Sequence, residues 1–378
     1  MTFARYGVLA PSLRHWGIFI GASCLWLGLP GQELINSAIA ASLLSGDAET
    51  SELAQALPVE PPSSYEIAPP PPRRESLPPQ RYLEEQQQID YRVGALQEDY
   101  TGSLWVGSWQ GLARIDPNTG NVQAEVRLPS AVISAMAQDR VGRIWVGTYA
   151  GLSRVDPRSN EITAQNFFLP SNRILALQVD NRGFLWVGTD RGLGMISPDR
   201  GLLMTTLQDL PGVSANALAI DRDGQLWVGT LDGIVRINTG SAFPMVRNAN
   251  VPGDVVQALT IGPQGRLWAG TPDGVFVFDP RSGQLQRAVT QLRGRNVTAL
   301  GFDSTTSLWV GTQDGLLKLN PYNGAIIGQV PGLPSSYVLS LSTDTGNKLW
   351  VGTRQGLAWV SLLTGEARSH MEFVSPTE

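Results

Sequence analysis

From Tyr91 onward one hydrophobic motif, L-W-V-G-T-x-x-G-L-x-R-I-D-P in its fullest form, returns seven times. Its tryptophans are Trp105, Trp145, Trp186, Trp227, Trp268, Trp309 and Trp350, spaced 40 residues apart once and 41 thereafter. A period this long and regular restricts the chain to architectures that repeat one supersecondary unit. Helical solenoids of similar period need amphipathic runs of roughly 10–15 residues, and this stretch has none. Each unit reads instead as four short strands separated by turn residues. The expected fold is therefore all-β, a seven-bladed β-propeller of four-stranded antiparallel blades.

The inner strand of each unit, such as VISAMAQD, carries a small third residue: Ala in six units and Ser340 in the last. Small side chains suit the crowded strand nearest a propeller axis. A D-x-x-G turn follows in four units, with Asp accepting local backbone bonds and Gly supplying a positive φ. In the fifth unit Gly262 stands where the others have Asp. The tryptophan comes next, and burying one removes ~150–250 Å² from water, so seven of them dominate the core. Glycines follow each tryptophan by two and by six residues, and the second ends a tight T-x-x-G hairpin. The third strand ends in D-P-x-[ST]-G, and the polar fourth strand suits an outer edge. The last outer strand falls at about 366–374, so the ring closes either on it or on residues borrowed from 82–89.

Ahead of the repeats, Arg5 and Arg14 precede an apolar run from Trp16 to Leu29, then Pro30-Gly31 and Ala38-Ile39-Ala40. The run is short of the ~20 apolar residues of a membrane span, and small residues two apart suit a signal peptidase. Residues 1–40 are therefore expected to be a signal peptide cleaved after Ala40, with an uncleaved anchor as the alternative, and export to the bacterial periplasm or exterior follows in either case. Residues 41–80 form a linker in which nine prolines fall between Pro58 and Pro79, a spacer that cannot build a core. The propeller is expected over 81–375.

Composition excludes several functions. The net charge is −5, and no basic cluster exceeds Arg73-Arg74, so a nucleic-acid partner is not expected. The one cysteine, Cys24, lies in the N-terminal apolar run, which excludes an intrachain disulfide or a thiolate metal site. Asp232, Asp273 and Asp314 recur at one hairpin position, but they sit a blade apart and read as turn formers rather than converging calcium ligands. No cofactor or metal is expected.

The segment LWVGTxxGLxRIDPxTG, preceded by V-x-A-L-x-x-D-x-x-G, resembles the two-component regulator propeller repeat over about residues 91–374. That resemblance implies a seven-bladed propeller of the kind found as the extracytoplasmic sensor of hybrid sensor kinases, linked there to recognition of extracellular ligands such as glycans. A stand-alone exported member without a kinase is the expectation here, so fold and binding are carried over and signalling is not. A weaker resemblance, to streptogramin lyase, implies a catalytic His with nearby acidic and metal-binding groups. The two histidines, His15 in the leader and His370 in the final outer strand, do not suit that role. The expected class is thus a monomeric, non-catalytic recognition or scaffold module for an envelope protein or polysaccharide, with a propeller enzyme at the central channel as the alternative.

Binding must reside in what varies between copies. In a propeller, the loops joining second and third strands share a face with the loops entering each inner strand. Aromatics among these loop residues, Tyr91, Trp109, Tyr149 and Tyr337, fall on units one, two and seven, which become neighbours only when the ring closes. Arg92 and Arg354 lie among them. These six are the candidate ligand-binding residues, as a patch on which a sugar or peptide stacks.

Overall fold

The computed structural model describes residues 91–130, 132–165 and 167–374. The expected leader (1–40, with Cys24 and His15), the proline-rich linker (41–80) and residues 81–90 lie outside the described residues.

Within them, 28 strands form seven four-stranded antiparallel sheets, each built from consecutive strands. The seven blades span 93–126, 133–165, 174–207, 217–248, 258–288, 297–330 and 338–374. In blade 1 the strands are Val93–Glu98, Leu104–Ser108, Gly111–Ile115 and Val122–Val126, running from the axis outward. The second strand is buried on both faces in every blade, as expected for a near-continuous apolar run. Outer strands alternate between exposed and half-buried positions, as in Glu161–Gln165 and Leu202–Leu207.

The core lies between blades rather than within them. Each repeat tryptophan is at most 4% exposed and packs on the blade that follows it. Trp105 joins Ile133, Ile144 and Val155 of blade 2, and Trp145 joins Ile174, Leu185 and Ile196 of blade 3. This arrangement explains the first glycine of the motif. A Cβ on Gly107, Gly147 or Gly229 would lie 2.5 Å from the side chain of Ile133, Ile174 or Val256 on the next inner strand. The second glycine ends each hairpin at positive φ, from 96° at Gly233 to 138° at Gly356.

Closure of the ring repeats the same contact. Trp350 of blade 7 packs on Val93, Leu104 and Ile115 of blade 1, while Ser340 Oγ donates to the carbonyl of Val93 at 3.1 Å. Blade 7 uses its own outer strand, Ala367–Val374, so among the described residues closure needs no borrowed strand.

The turn aspartates do more than shape their turns. Asp99, Asp139, Asp180 and Asp303 each accept the indole N–H of their own tryptophan at 2.9–3.1 Å through Oδ2, while Oδ1 takes backbone N–H groups of the turn. One carboxylate thus satisfies both the hairpin and a buried donor that would otherwise cost ~1–3 kcal/mol.

Candidate functional site

Backbone bonds fix which loops share a face. Tyr149 N donates to Val132 O at 3.3 Å, Gln313 N to Asn296 O at 3.3 Å and Arg354 N to Tyr337 O at 3.0 Å. In blades 2, 6 and 7 the tip of the T-x-x-G hairpin is thereby held against the loop entering its own inner strand, while the hairpins of blades 4 and 5 bond the loop entering the next blade, through Gly233 N to Asp254 O and Gly294 N to Asp273 O. The hairpins themselves are stiff, because the Thr hydroxyl accepts from the backbone N–H two residues on and donates to the closing glycine carbonyl, as in Thr148 and Thr312. Side chains at the two variable tip positions are therefore presented from a rigid support.

The six candidate residues resolve into pairs on successive blades. Tyr91 and Trp109 meet edge to face, with centroids 5.2 Å apart and an interplanar angle of 67°. On blade 7 the Arg354 guanidinium lies 5.0 Å from the centre of the Tyr337 ring, and the Tyr337 hydroxyl accepts from Gln313 Nε2 of blade 6 at 3.1 Å. On blade 2, Tyr149 is 43% exposed and lies 4.6 Å beneath Arg173 of blade 3. Arg92 and Tyr149 face a common cavity of about 300 Å³ at the mouth of the axial channel, together with Ser134, Asn216, Gln257 and Leu339. Tyr91, Trp109, Tyr337 and Arg354 do not line this cavity.

Two features of this face come from contacts between blades. Arg173 and Gln313 act as partners of aromatic rings on neighbouring units, and sequence spacing holds no signal for that pairing. Ser134 is bound into the scaffold, donating to Gly147 O at 3.2 Å and to Ile174 O of the next blade at 2.7 Å. The cavity wall carries amides, hydroxyls, apolar groups and one guanidinium, with no carboxylate or imidazole among the described residues. His370 lies in the outer strand of blade 7, between Trp350 and Phe373, with Nε2 2.7 Å from Gly120 O. Asp232, Asp273 and Asp314 each donate a backbone N–H to the Thr of their own hairpin, one blade apart. Among the described residues no group of three or more His, Cys, Asp or Glu side chains could hold a metal ion, and no helix is long and apolar enough to cross a membrane.

Comparison with known proteins adds the lineage of the repeat. The sequence profile of the two component regulator propeller family matches residues 127–150, 169–191 and 209–232, which lead through the inner and second strands of blades 2, 3 and 4 into their hairpins. No curated protein sequence matches the chain. Among solved structures, the extracellular domain of the hybrid two component system BT3049 from B. thetaiotaomicron is similar at 19% identity and a TM-score of 0.59. That match covers 70% of this chain and 39% of the other. The extracellular domain of the one component system BT4673 from the same organism is similar at 19% identity and a TM-score of 0.52, covering 73% of this chain and 48% of its own. Virginiamycin B lyase from Staphylococcus aureus, in a catalytically inactive form with quinupristin, is similar at 15% identity and a TM-score of 0.61, covering 71% and 94%. This chain thus spans about two fifths of the BT3049 domain and about half of the BT4673 domain. At these identities the likeness is one of fold. With the family's repeat matched in blades 2, 3 and 4, and the other four blades alike to them in sequence and packing, the chain carries the two component regulator propeller repeat.

Proposed function

We propose that this propeller is an exported, non-catalytic recognition module that binds an envelope protein or polysaccharide on its hairpin face. The observation that carries this reading is the set of aromatic side chains on blades 7, 1 and 2, two of them capped by arginines, set on the hairpins (Trp109, Tyr149) and inner-strand entry loops (Tyr91, Tyr337) of one face. Aromatic rings and arginines are the side chains that supply most binding energy when a partner desolvates them. Export is supported by the N-terminal charged, apolar and small-residue regions, and by the similarity to extracellular domains of bacterial regulators. A propeller enzyme working at the channel is the competing class. The composition of the cavity wall, which presents no carboxylate or imidazole to a substrate, favours binding.

The test is affinity capture from an envelope fraction with the full chain and with the Trp109→Ala/Tyr149→Ala double variant. A partner held by the wild type and reduced at least about tenfold by the double variant is expected, since hot-spot aromatics contribute ~2 kcal/mol or more each. Unchanged capture of every partner by a folded double variant refutes the assignment of this face.

A further inference from the structure

The opposite face, formed by the D-x-x-G and D-P-x-[ST]-G turns, holds a charge device that recurs in five of the seven blades; blade 7 has Asp344 at the turn position but turns it to Ser304, and only blade 5 lacks the acid altogether. In blades 1, 2, 3, 4 and 6 a cationic side chain pairs with the buried turn aspartate: Arg114 with Asp99 at 3.4 Å, Arg143 with Asp139 at 2.6 Å, Arg182 with Asp180 at 2.8 Å, Arg236 with Asp221 at 2.7 Å and Lys318 with Asp303 at 3.5 Å. A second recurring link ties cations to the next blade. Arg114 donates to Pro157 O and Arg154 to Pro198 O, in the turn that closes the following blade's third strand.

Blade 5 keeps the cations and lacks the acid. Gly262 stands at the aspartate position, and Val277 occupies the place of Arg114 on the third strand. Arg287, paired with Val277 in register, takes over the link to the next blade and donates to Pro321 O and Tyr322 O at 2.6 Å each. Its guanidinium lies 5.4 Å from the centre of the Trp268 ring. Arg287 Nε is buried and has no acceptor. Arg266 occupies the position from which Arg143 reaches Asp139 in blade 2, but residue 262 offers it no carboxylate. Among the described residues neither Arg266 nor Arg287 forms an ion pair. An aspartate at 262 would not fit, because a Cβ there would stand 2.6 Å from the Trp268 indole nitrogen.

The two arginines open onto one recess of about 260 Å³, walled also by Pro263, Gln264, Trp268 and Tyr322. Burial, then the neighbouring positive charge of Arg266, push the Arg287 guanidinium below the usual arginine range, with no acid opposing them. Arg154 is also pushed down by burial, but Asp139 and Asp199 work against the shift there. Two like charges held together without a counterion are stabilised by an anion; Arg287 contributes its charge while its terminal nitrogens hold the two carbonyls, and the exposed Arg266 supplies a guanidinium fork, the geometry that best matches planar and tetrahedral oxyanions. The recess has room for about one sugar ring, with the exposed Tyr322 ring at its rim.

We propose that the recess between blades 5 and 6, walled by Arg266, Arg287, Trp268 and Tyr322, binds an oxyanion, a carboxylate or sulfate group carried on a small ligand. The site is separate from the hairpin face and does not depend on the role assigned to it.

The test follows the indole N–H resonances of the ¹⁵N-labelled full chain, with Trp268 assigned by Trp268→Phe. Sodium sulfate, sodium glucuronate and glucose are titrated at constant ionic strength. A saturable shift of the Trp268 signal with sulfate, glucuronate or both is expected, and none with glucose. Arg266 is exposed, so Arg266→Glu leaves the fold in place while supplying an internal carboxylate, and affinity should fall about tenfold or more. Arg287→Met should abolish the shift, and should it also loosen the blade, the Arg266→Glu result decides alone. A linear drift shared by all indoles, equal affinity in Arg266→Glu, or glucose binding as tightly as glucuronate overturns the proposal.

Discussion

The blades satisfy their tryptophans unequally, which leads to a contrast between two identical substitutions. In blade 6 the Trp309 indole N–H is 3.0 Å from Asp303 Oδ2. In blade 4, Arg236 occupies Asp221 Oδ2 through Nε at 2.8 Å, and the buried Trp227 N–H has no acceptor among the described residues. Changing either tryptophan to phenylalanine removes a similar part of a buried ring, about 1–2 kcal/mol in lost apolar contact. Trp309→Phe also loses a hydrogen bond to a charged group, ~1.5–3 kcal/mol, for a total near 3–4 kcal/mol. Trp227→Phe removes an unsatisfied donor, which recovers ~1–3 kcal/mol and leaves a net cost near zero to 1 kcal/mol. Trp309→Phe should therefore be less stable than Trp227→Phe by about 2–4 kcal/mol, a gap of roughly 3–7 °C in melting temperature for a domain of this size. Urea and thermal unfolding of the full-length variants, followed by circular dichroism, measure the difference. Equal destabilisation within about 0.5 kcal/mol, or a larger cost at Trp227, would refute the hydrogen-bond accounting.

Two further outcomes follow from the packing and the carboxylates. Gly229→Ala would place its Cβ 2.5 Å from Val256 Cγ1, so it should cost ~1–3 kcal/mol by overpacking, and adding Val256→Ala should restore part of that loss in a double-mutant cycle. Burial alone would raise the Asp99 and Asp303 carboxyls, but the hydroxyl, indole and backbone donors around them outweigh it and hold both below the ordinary 3.8. A depressed folded-state pKa stabilises the fold above the unfolded value, and that contribution fades as pH falls through the folded one. Melting temperature should thus decline on acidification below about pH 3.8, and Asp99→Asn/Asp303→Asn should show a shallower decline over that range than the wild type.

Much of the architecture is legible because a propeller blade writes its constraints locally. Hairpin glycines and turn aspartates each answer to a neighbour a few positions away, so spacing alone places them. The loop-face residues were legible as variable positions, yet their grouping was not. Tyr149 meets Arg173 and Tyr337 meets Gln313 across blade boundaries, and Tyr91 with Trp109 forms a pair outside the cavity that Arg92 and Tyr149 share. Spacing marks Gly262 only as the one turn that lacks its Asp. Only its surroundings show that the same change leaves Arg266 and Arg287 without an acid.

The tryptophan repeat by itself determined the number of blades, their four-strand order and the burial of the seven indoles, because backbone periodicity and apolar patterning are properties of the chain. Tertiary structure decided what each indole donates to, how blade 7 meets blade 1, and which charges remain uncompensated. The indole partners turn on distances within a blade, where Arg236 and not Trp227 holds Asp221 Oδ2, and ring closure turns on a contact between opposite ends of the repeat, where Ser340 reaches Val93; hydrogen-bond and charge pairing depend on distances that spacing does not encode.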